Sequence, residues 1–366
     1  MFTISFSDDK PLYEQLYTYI REQIERGNIC SGEKLPSKRM LSAHLKISVV
    51  TVETAYSLLA AEGYIYSKPG SGYYAENLPG AFRKRKTDKP ILSTAHSKRE
   101  FSIDFSTNRV DTTLFPFSVW AKLSREILSS GGKELLSTCS GKGVLSLRQA
   151  IGDYLRDYRG MDVHPEQIIV GAGSEYLTGL LIQLLGRDMC YGVEDPGYVK
   201  THLVFSANCT SVLPIEVDGS GARLDSLVSL GIQIAHITPS HHFPLGTVMP
   251  AARRHEMLSW AYSAPDRYII EDDYDSDFRL YGKPVPTLQS LDCSSHVVYL
   301  NTFTKSLAPS MRIGYMVIPP DLLDRFEEKL GFYACTVPVF DQLILTEFIK
   351  RGYFERHISR MRKLYI

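Results

Sequence analysis

The chain has 366 residues, of which 44% are hydrophobic and 22% charged, and its 41 basic side chains balance its 41 acidic ones. These numbers fit a globular protein with room for a small and a larger domain. Because the net charge is zero, the overall charge predicts neither nucleic acid nor a membrane as a partner. No apolar run approaches the roughly 20 residues that a membrane span needs, and six cysteines without a Cys-x-x-Cys pair favour free thiols in a reducing cytoplasm.

Residues 1–76 are predicted to form three helices followed by a β-hairpin. In the first and third helices, apolar side chains recur at helical spacing and should face one core. They are Leu12, Leu16, Ile20 and Ile24 in the first helix, and Val52, Ala55, Leu58 and Leu59 in the third. Ser37 after Pro36 predicts the N-cap of a short second helix, and the Pro-Gly-Ser-Gly turn at 69–72 joins two strands. Three helices and a hairpin are the layout of a winged helix-turn-helix.

A basic face in this region predicts contact with DNA. The segment from Lys34 to Val52 holds basic residues and no acid, although residues 1–75 are neutral as a whole. The third helix would enter the major groove by its N-terminal end, with the wing beside it. The predicted DNA contacts are Lys38, Arg39, Ser48, Val49, Thr51, Lys68, Gly70 and Ser71. The alternative is that Lys38 and Arg39 form an ordinary solvated helix face.

The remainder of the chain is predicted to consist of a linker and a larger α/β domain. Residues 77–100 carry seven basic and two acidic side chains without periodicity, which predicts a basic flexible linker. From 101 to 366, short apolar runs alternate with helical stretches, as in an α/β domain with a mostly parallel sheet and helices on both faces. The strand candidates are 168–170, 189–193, 233–237, 267–270, 297–300 and 314–317.

Several residues of the larger region follow strand candidates and carry distinctive chemistry. Lys305 lies among small hydroxyl residues just after a strand, and Arg312 follows it. Asp272 and Tyr198 come after two other strands, and residues 173–175 begin a helix. A desolvated lysine for a Schiff base, a carboxylate for a pyridine nitrogen, an aromatic ring for stacking and an anion cradle at a helix N-terminus are what pyridoxal 5′-phosphate (PLP) needs. Each residue alone would be ordinary, but their joint occurrence predicts a PLP site.

Two sets of motifs resemble known families. The Leu-Pro-Ser-Lys-Arg-Met-Leu-Ser segment at 35–42 and the Ser-Val-Val-Thr-Val segment at 48–52 resemble the head of GntR-type regulators. The segments at 194–198, 270–278 and 302–315 resemble fold-type I aminotransferases. With both sets in order, the chain resembles the MocR/GabR family of PLP-dependent transcriptional regulators over nearly its whole length. That family implies a winged helix-turn-helix joined to a fold-type I α/β domain, and a homodimer.

The resemblance also implies roles in the cofactor site. Lys305 would bear PLP, Asp272 would pair with the ring nitrogen, and Tyr274 would contact the ring hydroxyl. Asp273 is the alternative to Asp272, because the spacing to Tyr274 is ambiguous. Tyr198 would stack on the ring. The residues implied for the phosphate are Ser174, Glu175 through its backbone, Thr302, Thr304 and Arg312.

Departures from the family pattern favour a sensor over a catalyst. Phe243 stands where aminotransferases have an asparagine that bonds the PLP hydroxyl; His241 is a candidate to compensate, with packing or surface exposure as the alternative. Lys200 occupies the place of a substrate-binding arginine in some relatives and is the candidate for an effector's carboxylate. Val49 replaces a common arginine of the DNA-reading helix, and Thr138 replaces a tyrosine that reaches the cofactor phosphate of the other subunit.

The end of the sequence is a further departure. It stops at Ile366 inside a predicted helix, where aminotransferase-like chains continue into a lobe of about a hundred residues. That lobe normally supplies the arginine for a substrate carboxylate. Either the aminotransferase-like domain over 101–366 is truncated, or the sequence is incomplete. Without the lobe we would expect neither transamination nor effector binding.

The predicted function is a PLP-dependent transcriptional regulator that binds a double-stranded DNA operator as a homodimer. An amino acid, an amine or PLP itself would be sensed through aldimine chemistry at Lys305 and would change the affinity for DNA. Two alternatives stay open: an active aminotransferase with an incidental head, and a DNA-binding module that has lost its cofactor. Neither a metal nor a membrane partner is predicted.

Overall fold

The computed structural model describes residues 4, 6–78, 111–278 and 285–365. The chain divides into two units, Met1–Phe101 and Ser102–Ile366, and each is described by itself. The predicted linker at 77–100 lies outside the described residues except for its first two positions. Within the described ranges, none of the helices has the length and apolar character that would let it cross a membrane.

The N-terminal unit contains three helices and a two-stranded hairpin. They are α1 (Leu12–Glu25), α2 (Lys38–Leu45), α3 (Val49–Ala61), β1 (Ile65–Lys68) and β2 (Gly72–Ala75). The strands pair antiparallel, from Ile65 opposite Ala75 to Lys68 opposite Gly72. Gly70 in the turn has a φ of 74°, which an L side chain rarely adopts, so this turn depends on glycine. The predicted winged helix-turn-helix layout is confirmed.

Both helices of the helix-turn-helix begin at a serine N-cap. The Ser37 hydroxyl accepts a hydrogen bond from the Met40 N–H at 3.2 Å, as the sequence predicts. The Ser48 hydroxyl accepts one from the Thr51 N–H at 3.0 Å at the start of α3. Each cap satisfies an N–H group that the start of a helix leaves without an intrahelical partner. Lys46, at a φ of 56°, ends α2 and turns the chain into α3.

Apolar residues of α1 and α3 form the core of this unit. The buried ones are Leu16, Ile20 and Ile24 on α1, and Val52, Ala55, Tyr56 and Leu59 on α3. The prediction was wrong for Leu12 and Leu58, whose side chains are 40% and 37% exposed. Leu12 is the first residue of its helix, and Leu58 lies about 100° around α3 from Leu59. Tyr56 lies in the core instead and donates a hydrogen bond to the Pro36 carbonyl at 2.9 Å.

The larger unit contains a sheet with the strand order β3-β10-β9-β8-β7-β4-β5-β6. Its strands are β3 (Ile168–Gly171), β4 (Cys190–Asp195), β5 (Ser211–Asp218), β6 (Gly221–Ala222), β7 (Ile234–Ile237), β8 (Tyr268–Asp272), β9 (Val297–Thr302) and β10 (Gly314–Val317). Strands β9, β8, β7, β4 and β5 run parallel, whereas β10 is antiparallel to both β3 and β9. The predicted α/β fold with a mostly parallel sheet is confirmed.

Helices cover both faces of this sheet. They are α4 (Phe117–Ser130), α5 (Leu145–Arg159), α6 (Ser174–Leu185), α7 (Val199–Asn208), α8 (Leu224–Ser229), α9 (Ala251–Tyr262), α10 (Leu288–Leu291), α11 (Leu323–Leu330), α12 (Val339–Lys350) and α13 (Tyr353–Tyr365). Along β9, Tyr299 packs in the core with α5 and α12, whereas Val298 and Leu300 pack with α6 and α11. Because the parallel strands point one way, the carboxyl ends of β4, β7, β8 and β9 meet at one edge, where open α/β sheets bind ligands.

Replacing the N-cap of α3 tests the local origin of this helix. We expect Ser48→Ala to lower the free energy of unfolding of the N-terminal unit by about 1 kcal/mol, because the Thr51 N–H loses its acceptor. The measurement is hydrogen exchange of the full chain, read on peptides from α1 to β2.

The matched control is Ser57→Ala, a change at an exposed position inside the same helix. It should leave protection unchanged or raise it by about 0.5 kcal/mol at most, because alanine favours a helix interior. Equal protection in the two variants would contradict the role of Ser48.

Candidate functional site

One cavity at the carboxyl edge of the sheet gathers the residues that the sequence predicts for cofactor and effector. Those lining it are Ser174, Glu175, Tyr198, Lys200, Asp272, Tyr274, Thr302, Thr304, Lys305 and Arg312. They come from the ends of β8 and β9, the starts of α6 and α7, and the segment just before β10, which are distant from one another in sequence. Phe243 also lines this cavity.

Lys305 lies three residues beyond β9 and is partly buried. Burial lowers the pKa of its ammonium group, and the nearby charge of Asp275 opposes that shift. The next residue is fixed from α13, where His357 Nε2 lies 2.8 Å from the Ser306 carbonyl oxygen and donates to it. The segment that carries Lys305 is therefore attached both to the sheet and to α13.

An anion cradle lies beside the lysine at the start of α6. Gly173 has a φ of 88°, which L side chains rarely adopt, and a Cβ there would lie 3.0 Å from Arg312 Nη2 and crowd the guanidinium. The hydroxyl oxygens of Thr302 and Thr304 lie 2.7 Å apart, and the Thr304 N–H donates to Thr302 Oγ1 at 3.2 Å. A helix N-terminus, two hydroxyls and an arginine form a donor set suited to a phosphate.

Charged side chains meet at the Glu175 carboxylate. Lys200 Nζ lies 2.5 Å from Glu175 Oε1, and Arg312 Nη2 lies 3.6 Å from Oε2. These groups are more than a third exposed, so solvent weakens their attraction. Lys200 is thus at the cavity as expected, with its charge balanced by Glu175.

The two candidate aspartates, Asp272 at the end of β8 and Asp273 just after it, point in opposite directions. Asp272 lines the cavity, and its Oδ2 lies 3.4 Å from His236 Nε2 on the neighbouring strand β7. Asp273 faces away, fully buried in an ion pair with Arg159, and accepts a hydrogen bond from the Tyr299 hydroxyl at 2.7 Å. Successive residues of an extended chain point in opposite directions, so only one of the pair can reach the cavity.

Glu194, His236 and Thr238 line the cavity but were missed from the sequence. Glu194 Oε2 accepts hydrogen bonds from the Thr238 N–H at 3.0 Å and from the Thr238 hydroxyl at 2.6 Å. Among the described residues, Glu194 Oε1 has no hydrogen-bond partner. Burial raises the pKa of Glu194 to about 7. The signal for His236 was available, since it is the titratable residue in the otherwise apolar run of β7.

The loop that contains Phe243 brings an aromatic edge into the site. The Tyr198 and Phe243 rings meet edge to face, with centroids 6.0 Å apart. The Tyr274 hydroxyl donates to the His241 carbonyl oxygen at 3.1 Å. His241 Nδ1 lies 2.6 Å from Asp275 Oδ2, and its side chain is half exposed. His241 is therefore paired with Asp275 beside the site, and its ring is not among the side chains that line the cavity.

The residues predicted for DNA contact lie on α2, at the start of α3 and on the hairpin. Arg39 and Val49 are exposed, whereas the Ser48 hydroxyl is occupied as the cap of α3. Lys38 Nζ lies 2.6 Å from Glu53 Oε1, which ties α2 to α3. Thr51 is half-buried, and its hydroxyl oxygen lies 2.8 Å from Ser48 Oγ.

The hairpin supplies the other predicted contacts. Lys68 Nζ lies over the rings of Tyr66 and Tyr74, at 5.5 Å and 4.7 Å from their centroids. Gly70 and Ser71 form the exposed turn, and Ser71 Oγ lies 2.5 Å from the Tyr74 hydroxyl. The aromatic rings hold the Lys68 charge on the surface of the hairpin.

Comparisons with known proteins match each unit. The model of the gntR family of bacterial regulatory proteins matches residues 12–74, and that of aminotransferase class I and II matches residues 102–363. The HTH-type transcriptional regulator YdeL of Bacillus subtilis, itself uncharacterised, is 44% identical over 98% of this chain and 77% of its own length. The probable rhizopine catabolism regulatory protein MocR of Rhizobium meliloti is 34% identical over 100% of this chain and 77% of its own length.

A solved structure supports the same fold. The multiple substrate aminotransferase from Thermococcus profundus matches with a TM-score of 0.62 and 27% identity, over 69% of this chain. The match covers 65% of that enzyme, which is less than two thirds of its length. Fold and site define a winged-helix DNA-binding head joined to an aminotransferase-like domain. The chain belongs to the MocR/GabR family of transcriptional regulators.

The buried Glu194 carboxyl predicts a pH-dependent stability. Because its folded-state pKa is raised to about 7 from an ordinary 4.5, the folded protein binds this proton more tightly than the unfolded chain does. The resulting stabilisation is complete below the ordinary pKa and is lost as pH rises through about 7. We expect the free energy of unfolding of the larger unit to fall between about pH 5 and about pH 8, and Glu194→Gln to reduce that fall by up to about 3 kcal/mol.

Urea unfolding followed by fluorescence of Trp120 and Trp260 measures this change at each pH. Glu328→Gln, at an exposed position, is the control and should leave the decline as in the wild type. A residual decline is expected in the variant, because burial also raises the pKa of Glu271 to about 7. An undiminished decline in Glu194→Gln would show that this carboxyl is not the cause.

Proposed function

We propose that the chain is a transcriptional regulator that holds PLP on Lys305 and changes its affinity for a DNA operator according to what occupies that site. The occupant would be an amino acid, an amine or PLP itself. The observation that carries the proposal is the cavity that brings Lys305, Asp272, Tyr198 and Arg312 together in a chain with a winged helix-turn-helix. We assign DNA binding to residues 1–76, the linker to 77–100 and effector sensing to 101–366.

The cavity residues match the cofactor group by group. When bound, PLP supplies an aldehyde that reacts with primary amines and a pyridine ring that withdraws electrons. Lys305 would provide the amine, and its burial favours the neutral, nucleophilic form. The Asp272 carboxylate would accept a hydrogen bond from the protonated ring nitrogen, and Tyr198 would stack on the ring face.

The anion cradle would hold the phosphate. The N–H groups of Ser174 and Glu175 at the start of α6, the hydroxyls of Thr302 and Thr304, and the Arg312 guanidinium are its donors. Tyr274 would contact the ring hydroxyl from the same segment as Asp272. His236 Nε2, on β7, lies 3.4 Å from the Asp272 carboxylate and would hold it toward the ring nitrogen.

Two features favour sensing over turnover. Phe243 presents an apolar ring in the cavity and offers no hydrogen bond to a cofactor hydroxyl. Lys200 is the candidate for an effector carboxylate, and it offers one ammonium charge, already paired with Glu175, in place of the two-pronged contact that arginine makes. Such a site can bind an amino acid reversibly without committing it to reaction.

A second candidate function is an active aminotransferase. The observation in its favour is that the reactive lysine, the aspartate and the arginine all line the cavity. Against it, two residues differ from those of relatives: Thr138 replaces the tyrosine that reaches the cofactor phosphate of the other subunit, and Lys200 replaces the arginine that binds a substrate carboxylate. For a regulator, we propose a homodimer that acts in the cytoplasm, where bacterial DNA lies.

Replacement of Lys305 tests the proposed function. After loading with PLP and gel filtration, the wild-type chain should retain visible absorbance, and borohydride should fix the cofactor on the peptide that contains Lys305. Lys305→Ala should lose both signals. Lys329→Ala, at an exposed position, should behave as the wild type.

The same proteins are then titrated with duplexes selected from a random DNA library, with and without a panel of amino acids and amines. We expect a ligand-dependent change in Kd for the wild type and none for Lys305→Ala. A ligand response that survives in Lys305→Ala would point to a cofactor-free module. Turnover of an amino acid with a 2-oxo acid would support the aminotransferase instead.

A further inference from the structure

Two exposed valines begin the DNA-reading helix. Val49 and Val50, the first two residues of α3, are 41% and 68% exposed, whereas Val52, two residues later, is fully buried in the core. Isolated exposed apolar residues are common, but two adjacent β-branched ones at a helix start neither fill the core nor favour the helix. Packing within the unit therefore does not explain them.

The surroundings of these valines are basic. Lys46 precedes α3, and Arg39 is exposed on α2. Lys38 is held over α3 by Glu53, which lies four residues after Val49 and so on the same side of the helix. A face of this charge fits a polyanion and does not fit an apolar protein partner. These charges therefore favour the major groove of DNA as the partner of this face.

The polar side chains at the start of α3 are engaged within the protein. Ser48 Oγ accepts from the Thr51 N–H at 3.0 Å and lies 2.8 Å from the Thr51 hydroxyl. Thr54 donates its hydroxyl to the Val50 carbonyl at 3.0 Å. The groups left to face base edges at this end of the helix are therefore the methyl groups of Val49 and Val50.

In the major groove, the distinctive apolar group is the C5-methyl of thymine. We infer that Val49 and Val50 determine operator specificity by packing against thymine methyl groups, so that each half-site contains thymine where the start of α3 meets the bases. The inference rests on the proposed DNA-binding function and adds the base that is read. Loss of one buried methyl contact should weaken binding about fourfold, from the transfer free energy of one CH₂ group.

The test uses the full chain loaded with PLP and the best duplex selected from a random library. Each thymine is replaced in turn by deoxyuridine, which removes the methyl and keeps every hydrogen-bonding group. We expect about a fourfold rise in Kd at one or two positions of each half-site. In Val49→Ala and Val50→Ala the duplexes with thymine and deoxyuridine should bind alike at the position that each valine reads.

Leu58→Ala is the matched control, since Leu58 is an exposed apolar residue near the other end of α3. It should keep the full sensitivity to deoxyuridine. Both valine variants should keep the far-UV circular dichroism of the wild type, because alanine is the better helix former at exposed positions.

Three results would overturn the inference. They are selected duplexes that tolerate deoxyuridine everywhere, a sensitivity that survives in both valine variants, and a change of oligomeric state in those variants on sedimentation, which would make this face a contact between copies. If no duplex is enriched over random DNA at all, the proposed function fails as well. Salt-sensitive, sequence-preferring binding without any methyl effect would leave the proposed function intact.

Discussion

The buried ion pair between Arg159 and Asp273 is the constraint on which the site depends. Both side chains are almost fully buried, and the Tyr299 hydroxyl donates to the same carboxylate. A buried charge is tolerated only when it is paired and hydrogen-bonded, so α5, β8 and β9 are held in one arrangement. Because Asp273 is fixed inward, the preceding residue, Asp272, must face the cavity.

Further polar contacts connect this buried network to α13. Tyr154 donates its hydroxyl to Asp277 at 2.5 Å, and Arg362 donates to the Asp277 carbonyl at 2.7 Å. His357 on the same helix holds the residue after Lys305. The segment with Asp272 and the segment with Lys305 are therefore both attached to α13, and a displacement of this helix would move the two sides of the cavity together. A sensor needs such a connection between its ligand site and the rest of the domain.

In the N-terminal unit, different parts of α3 pack in the core and are exposed for the proposed contact with DNA. The buried face of α3 packs Val52, Ala55 and Leu59 against α1. The N-terminal end of α3 is exposed, as are the nearby basic side chains Arg39 and Lys46. Ser48 serves the helix as its cap and fixes where α3 begins. A unit with no net charge over residues 1–75 can bind a polyanion in this way because its acids lie mostly away from this face.

The sequence alone predicted the N-cap at Ser37, the turn at Gly70, most of the strands and the family to which the chain belongs. These features depend on neighbouring residues or on the spacing of motifs, which the sequence shows directly. It did not reveal β5, because Pro214 breaks the apolar pattern of that strand. Proline is tolerated there because β5 pairs with β4 along one side and has only two residue pairs with β6 along the other. Only the tertiary structure shows that Asp272 and not Asp273 lines the cavity, since the direction of a side chain follows from the register of β8 in the sheet. It also brought Glu194 and His236 to the cavity, because residues far apart in sequence become neighbours only where parallel strands end together.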